Sequence, residues 1–174
     1  FPPKTGRQRS GALGIGWLAA AACLAIAAVA WWPTNGTPST EEQMTQLVAN
    51  APDLTRWDWQ PWGESDPGVK GEVVWSEARQ EGYMVLEGMP ENDPSEQQYQ
   101  LWIVESSRGT PLEVPPVDGG VFDITESGEV IVPIRSKIPA RGVVAFAITR
   151  EPPGGVVVSD RSNKVVIAAP PAEG

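Results

Sequence analysis

The chain has 174 residues, with 13 Lys and Arg against 22 Asp and Glu, one Cys and no His. That length suits one domain of about 100–150 residues plus appendages. The absence of histidine excludes Ser-His-Asp and Cys-His nucleophiles, His-ligated zinc and imidazole acid/base chemistry, and the lone Cys23 excludes an intramolecular disulfide and a multi-cysteine metal site.

The net charge of −9 is unevenly spread. Residues 1–32 hold Lys4, Arg7 and Arg9 and no acid, which leaves 10 bases against 22 acids, a net of −12, in residues 33–174. A body this acidic repels phosphate backbones, so no nucleic-acid partner is expected.

Ala12 to Trp32 is a run of 21 residues without one charged side chain. As a helix it spans about 30 Å, the thickness of a bilayer's hydrocarbon core, and lipid is the solvent suited to a helix apolar on every side. The reading is a transmembrane helix over 12–32. Lys4, Arg7 and Arg9 precede it and Glu41 and Glu42 are the first charges after it. The positive-inside rule therefore makes 1–11 a basic cytoplasmic juxtamembrane linker and 33–174 extracytoplasmic. Trp31, Trp32 and Pro33 match an interfacial aromatic belt and a helix stop. Ala28-Val29-Ala30 fits the cleavage pattern of a signal peptide. The apolar run is longer than a usual h-region, however, and the start at Phe1 reads as that of a fragment. Both readings leave 33–174 outside.

Nine of those 21 residues are alanine. Small residues let helices approach one another, which is the ordinary use of such a composition. The sharper reading is a helix that unwinds readily for an intramembrane protease, around Gly14, Gly16, Ala19 and Ala22. Glycine costs roughly 1 kcal/mol relative to alanine in a helix.

Residues 33–39 read as a flexible Pro/Thr/Ser/Gly tether. Ser39 and Glu42 have capping-box spacing ahead of Met44, Leu47 and Val48, which predicts a short helix closed by Asn50 and Pro52. Its narrow apolar face suits docking on a sheet. From there the pattern is β: Lys70–Ser76, Gly82–Glu87, Gln98–Glu105, Glu129–Arg135, Val143–Arg150 and Asn163–Ala168, with a weaker candidate at Asp53–Gln60. Gly120–Ile124 is expected to pair with Glu129–Arg135 across Thr125-Glu126-Ser127-Gly128. Seven or eight short strands argue an all-β domain over 40–170, an antiparallel, immunoglobulin-like β-sandwich, followed by a tail at 171–174. In Gln98–Glu105, Tyr99, Leu101 and Ile103 alternate with Gln100, Trp102 and Val104, the pattern of a strand covered on both faces. Pro133 places its strand at an edge or a bulge.

Trp57-Asp58-Trp59-Gln60-Pro61-Trp62 is the most conspicuous cluster of the body. Alternating Trp57 and Trp59 suit anchoring of a peripheral strand, because Trp is usually well buried. The functional reading is a ligand or partner surface of Trp57, Trp59 and Trp62, as in a carbohydrate-binding envelope module. Glu91 to Glu96 offers calcium-type oxygens without EF-hand spacing and reads as a turn. Asp118 and Asp123 are carboxylates that a glycosidase pair would need, but nothing in the spacing joins them. Glu151-Pro152-Pro153-Gly154-Gly155 resembles a phosphate cradle only superficially, since no Lys-Ser/Thr follows. No catalytic, cofactor-binding or metal-binding set is identified, and no enzyme is expected.

The body resembles the C-terminal region of the bacterial anti-sigma-K factor family. Tyr99-Gln100-Leu101-Trp102-Ile103-Val104 resembles its YQLW strand, and Gly120-Val121-Phe122 with Glu126-Ser127-Gly128 its GxF and DG segment. Ala145 to Gly155 resembles its AVTxEPxGG signature, and Ala51-Pro52-Asp53 and Gly71-Glu72-Val73-Val74-Trp75 match in order and spacing. Pro153 and Val156-Val157-Val158-Ser159-Asp160 depart from the pattern. The resemblance implies a single-pass protein of the bacterial inner membrane. A sigma factor would be bound by a missing N-terminal region, and envelope and intramembrane proteases would release it.

Overall fold

The computed structural model describes residues 37–62, 68–108 and 115–171. The expected anchor over 12–32, with Gly14, Gly16, Ala19 and Ala22, lies outside the described residues, as do the linker 1–11 and residues 33–36 of the tether. Among the described residues no helix is long and apolar enough to cross a membrane.

The first element among the described residues is α1 (Thr40–Asn50), and its start is dictated by Ser39. The Ser39 hydroxyl accepts from the Glu42 N–H at 3.1 Å while the Glu42 carboxylate accepts from the Ser39 N–H at 2.9 Å, satisfying two donors that a helix start leaves open. Glu41 and Glu42 add negative charge at the positive end of the helix dipole. One face then docks: Leu47, 1% exposed, packs with Val74 and Tyr83, with Met44, Val48, Leu54 and Ile131 around them.

Among the described residues eight strands follow: β1 (Leu54–Pro61), β2 (Glu72–Ser76), β3 (Glu81–Glu87), β4 (Gln98–Glu105), β5 (Val117–Phe122), β6 (Glu129–Pro133), β7 (Val143–Glu151) and β8 (Lys164–Ala168). All pairs are antiparallel, in the order β5-β4-β7-β8-β1-β2-β3-β6. The all-β antiparallel class is therefore what the chain adopts. The immunoglobulin-like arrangement is not. In that fold the second strand pairs with the fifth, whereas here β2 pairs with β3. The four residues Glu77-Ala78-Arg79-Gln80 make a tight turn, with Gln80 at φ 52, too short to carry the chain to an opposing sheet. At the far ends Arg135 N donates to Gly119 O at 3.0 Å, so the eight strands form one nearly closed sheet.

The expected hairpin between Gly120–Ile124 and Glu129–Arg135 does not form either. β5 pairs with β4 and β6 with β3. After Phe122, which stacks on Tyr99 at 5.7 Å, Ile124 is 1% exposed in the core, so the chain passes between the two ends of the sheet. Pro133 closes the edge strand β6, where a missing N–H disturbs no inner ladder.

Inside lies one core to which most strands contribute, including Val73, Trp75, Met84, Leu86, Leu101, Ile103 and Ile148. Phe146 of β7, fully buried, meets Trp57 and Trp75 at 5.8 Å each, which ties the two halves of the sheet together.

Under α1, burial and the acceptor Glu81, 3.0 Å from the hydroxyl, push the Tyr83 phenol up from 10.0 to about 12. The neutral phenol is thus favoured by folding: its contribution is complete below pH 10 and is lost as pH climbs to about 12. Chemical denaturation followed by circular dichroism is expected to show stability falling across that window. Tyr83→Phe should flatten the fall; an unchanged fall would refute the assignment to Tyr83.

Candidate functional site

Two glutamines on the outer face of β4 organise the surface that the sequence left unassigned. Gln98 accepts from Gly154 N at 2.7 Å and donates to the Asp123 carboxylate at 2.9–3.0 Å. Gln100, 1% exposed, accepts from Val156 N at 2.9 Å and donates to Val156 O at 3.0 Å and Asp118 at 3.1 Å. A side-chain amide here does the work of a neighbouring strand's backbone, holding the loop after β7 against β4 and β5. Burial pushes the Asp118 carboxyl up, but the Lys137 ammonium at 3.0 Å, Gln100 and the Gly120 N–H outweigh it and hold it below its ordinary value.

The loop can close this tightly because Gly155 has no side chain. Its φ is +71°, and a Cβ would lie 2.6 Å from Val121 and 2.7 Å from the Gln100 oxygen. Gly155 N also donates to Pro152 O at 2.9 Å, closing the turn.

Beside that loop, on the same outer face, is a cavity of about 300 Å³. Its floor is a cross-strand row: Trp102 opposite Ala147, and Ala147 opposite Ile167. Val104 and Ala145 extend it, and Trp62 lies at the β8 side, where its backbone N–H donates to Val165 O at 3.3 Å. Trp102 Nε1 donates to Thr149 Oγ1 at 2.8 Å, and that hydroxyl donates to Glu151 at 2.6 Å. Val158, Ser159, Arg161 and Lys164 complete the walls, with the Lys164 ammonium 5.2 Å from the centre of the Trp62 ring.

The three tryptophans read as one candidate surface do not share a face. Trp57 is half-buried against the core and Trp59, 6% exposed, lies within it, its Nε1 donating to Val85 O at 3.0 Å. Only Trp62 reaches the outer cavity. Asp93 accepts from the N–H and hydroxyl of Ser95 at 2.8 and 2.6 Å, which closes a turn, and Asn92 bridges to Gln97 and Asp123. Among the described residues no three metal-ligating side chains gather. Asp118 is held by the Gln100 amide and the Lys137 ammonium, and Asp123 by the Asn92 and Gln98 amides, as parts of the loop clamp. Sequence reasoning found the residues of the clamp as motifs but not their contacts, and it missed the cavity; the alternation of Trp102 and Val104 with inward residues was the available signal.

The sequence profile described as "Anti-sigma-K factor rskA, C-terminal" matches residues 17–163. No curated protein matches, and no solved structure matches.

The clamp separates two adjacent glycines. A Cβ at Gly154, φ +87, meets nothing within 4 Å, so Gly154→Ala carries only the left-handed backbone cost of about 1–2 kcal/mol. Gly155→Ala adds the overlap with Val121 and Gln100 and is expected to cost about 3–4 kcal/mol. Urea denaturation of both variants checks this; equal costs would contradict the clamp.

Proposed function

This chain belongs to the anti-sigma-K factor family, and on that premise we propose that it is the membrane anchor and extracytoplasmic regulatory region of an anti-sigma factor. The family acts in transcription regulation through a sigma factor partner. In the proposal, residues 12–32 span the bacterial inner membrane once with the N-terminus in the cytoplasm. The sigma factor is held by a region upstream of this chain, and residues 33–174 lie outside. The reading draws on the uncharged run Ala12–Trp32, the bases before it and the acids after it.

The observation that carries the finer reading is the entry of the chain into the β-domain. The tether leads straight into Ser39, where the capping box starts α1, and α1 is pinned to the sheet through Leu47. A folded domain therefore begins at the end of the tether. In the proposal, the folded domain restrains cleavage at residues 33–39. Outer cleavage there, followed by a cut around Gly14, Gly16, Ala19 and Ala22, frees the sigma factor. The domain needs no catalytic group or cofactor for this role.

The test uses the full-length protein tagged at its N-terminus in its own host. Before induction a sigma factor should co-purify in stoichiometric amount. When the regulon is switched on, the tagged species should shorten first to a membrane-bound fragment ending within 33–39 and then to a soluble one. Full-length protein that stays uncut while the regulon is on would overturn the reading.

A further inference from the structure

We propose that the outer cavity over β4, β7 and β8 binds a small aromatic anion, an apolar body of one or two rings bearing a carboxylate or sulfonate. At about 300 Å³ the cavity is at the small end of ligand sites, the size for a molecule of that class rather than a polymer. Its floor is the apolar row Trp102, Ala147 and Ile167, in which the small side chain of Ala147 leaves the room that its larger neighbours bound.

Charge points the same way. Residues 33–174 carry a net of −12, yet among the described residues the charged side chains lining this cavity are Arg161 and Lys164. Lys164 is exposed and, among the described residues, pairs with no carboxylate; its ammonium lies beside the Trp62 ring. A cation beside an indole at the mouth of an apolar slot offers one end of a ligand an aromatic face and the other an ion pair. Of the acids close in sequence to these residues, Glu151 accepts from Thr149, and Asp160 from Ser162 N at 2.8 Å.

The uncharged polar groups at the floor are already engaged, Trp102 Nε1 with Thr149 and the Thr149 hydroxyl with Glu151. A sugar needs several such groups for its hydroxyls, and the floor does not supply them. What remains for recognition is apolar area and positive charge. The mouth adds Val158, 61% exposed, a side chain that a bound ring would cover. The inference stands on this cavity; only the use of nanodiscs in its test borrows the membrane anchor of the regulatory reading.

The experiment is isothermal titration calorimetry of the purified full chain in lipid nanodiscs, with empty discs subtracted. The probes are 2-naphthoate, its uncharged relative 2-naphthol, and tri-N-acetylglucosamine. One-to-one saturable binding of 2-naphthoate is expected, weakened about tenfold for 2-naphthol and by Lys164→Gln, as loss of a charge-assisted contact implies. Ala147→Leu, which fills the floor, should abolish it. Should that variant lose its native circular dichroism, the exposed Lys164→Gln decides alone. No saturable binding, equal affinity for 2-naphthol, indifference to Lys164→Gln, or preference for the sugar would each overturn the proposal. No sigma factor or protease enters the assay, so its outcome is separate from that of the regulatory reading.

Discussion

Everything in this domain depends on one strand changing partners partway along its length. Leu54 to Asp58 of β1 pair with β2, and Trp59 to Pro61 pair with β8. Gly71 makes the handover possible. Its φ is +109°, a Cβ there would lie 2.2 Å from Val85 O, and its own carbonyl accepts from Trp59 N at 3.0 Å. Any side chain at that position would push β2 away from β3. Because Trp57 and Trp59 are two residues apart, both stay on the inner face through the change, and the sheet wraps a single core. The tryptophan cluster that looks like a binding platform is therefore used at the joint. Only Trp62, beyond it, emerges outside.

The sequence is legible where structure is local. Ser39 and Glu42 announce α1, and the alternation in β4 announces a strand covered on both faces. It is illegible where partners are distant. β1 reads as the weakest strand because its residues serve two ladders, yet it is the one the sheet turns on. Thr125 to Gly128, with Gly128 at φ +118, has the composition of a hairpin turn, but composition does not say which strand lies alongside. β5 goes to β4 with a bulge at Leu101/Trp102. Gln100 shares the outer face of β4 with Trp102 and Val104, and nothing within the strand signals that a loop more than fifty residues later returns to bind the amides of Gln98 and Gln100. The family motifs YQLW and EPxGG travel together in this chain for a physical reason: Gln98 and Gln100, beside and within the first, hold Gly154 and Val156, within and just after the second.

The same arrangement divides the surface by use. α1 covers one outer face of the sheet through Leu47, Val74 and Tyr83. The opposite outer face, over β4, β7 and β8, is covered in part by the clamped loop and keeps the cavity open beside it. Stability and accessibility thus meet at α1, because the helix is both part of the folded domain and the end of the chain leading into it. In the proposed role, release of sigma factor follows loss of that docking rather than any chemistry in the domain.

The most direct measurement places Leu47→Asp in the full-length protein in its native host and reads sigma-dependent transcription without any inducing signal. Burying an unpaired carboxylate against Val74 and Tyr83 costs several kcal/mol and undocks α1. The account predicts constitutive transcription accompanied by a tagged fragment ending within 33–39. Silent transcription, with α1 undocked and the protein uncut, would contradict it.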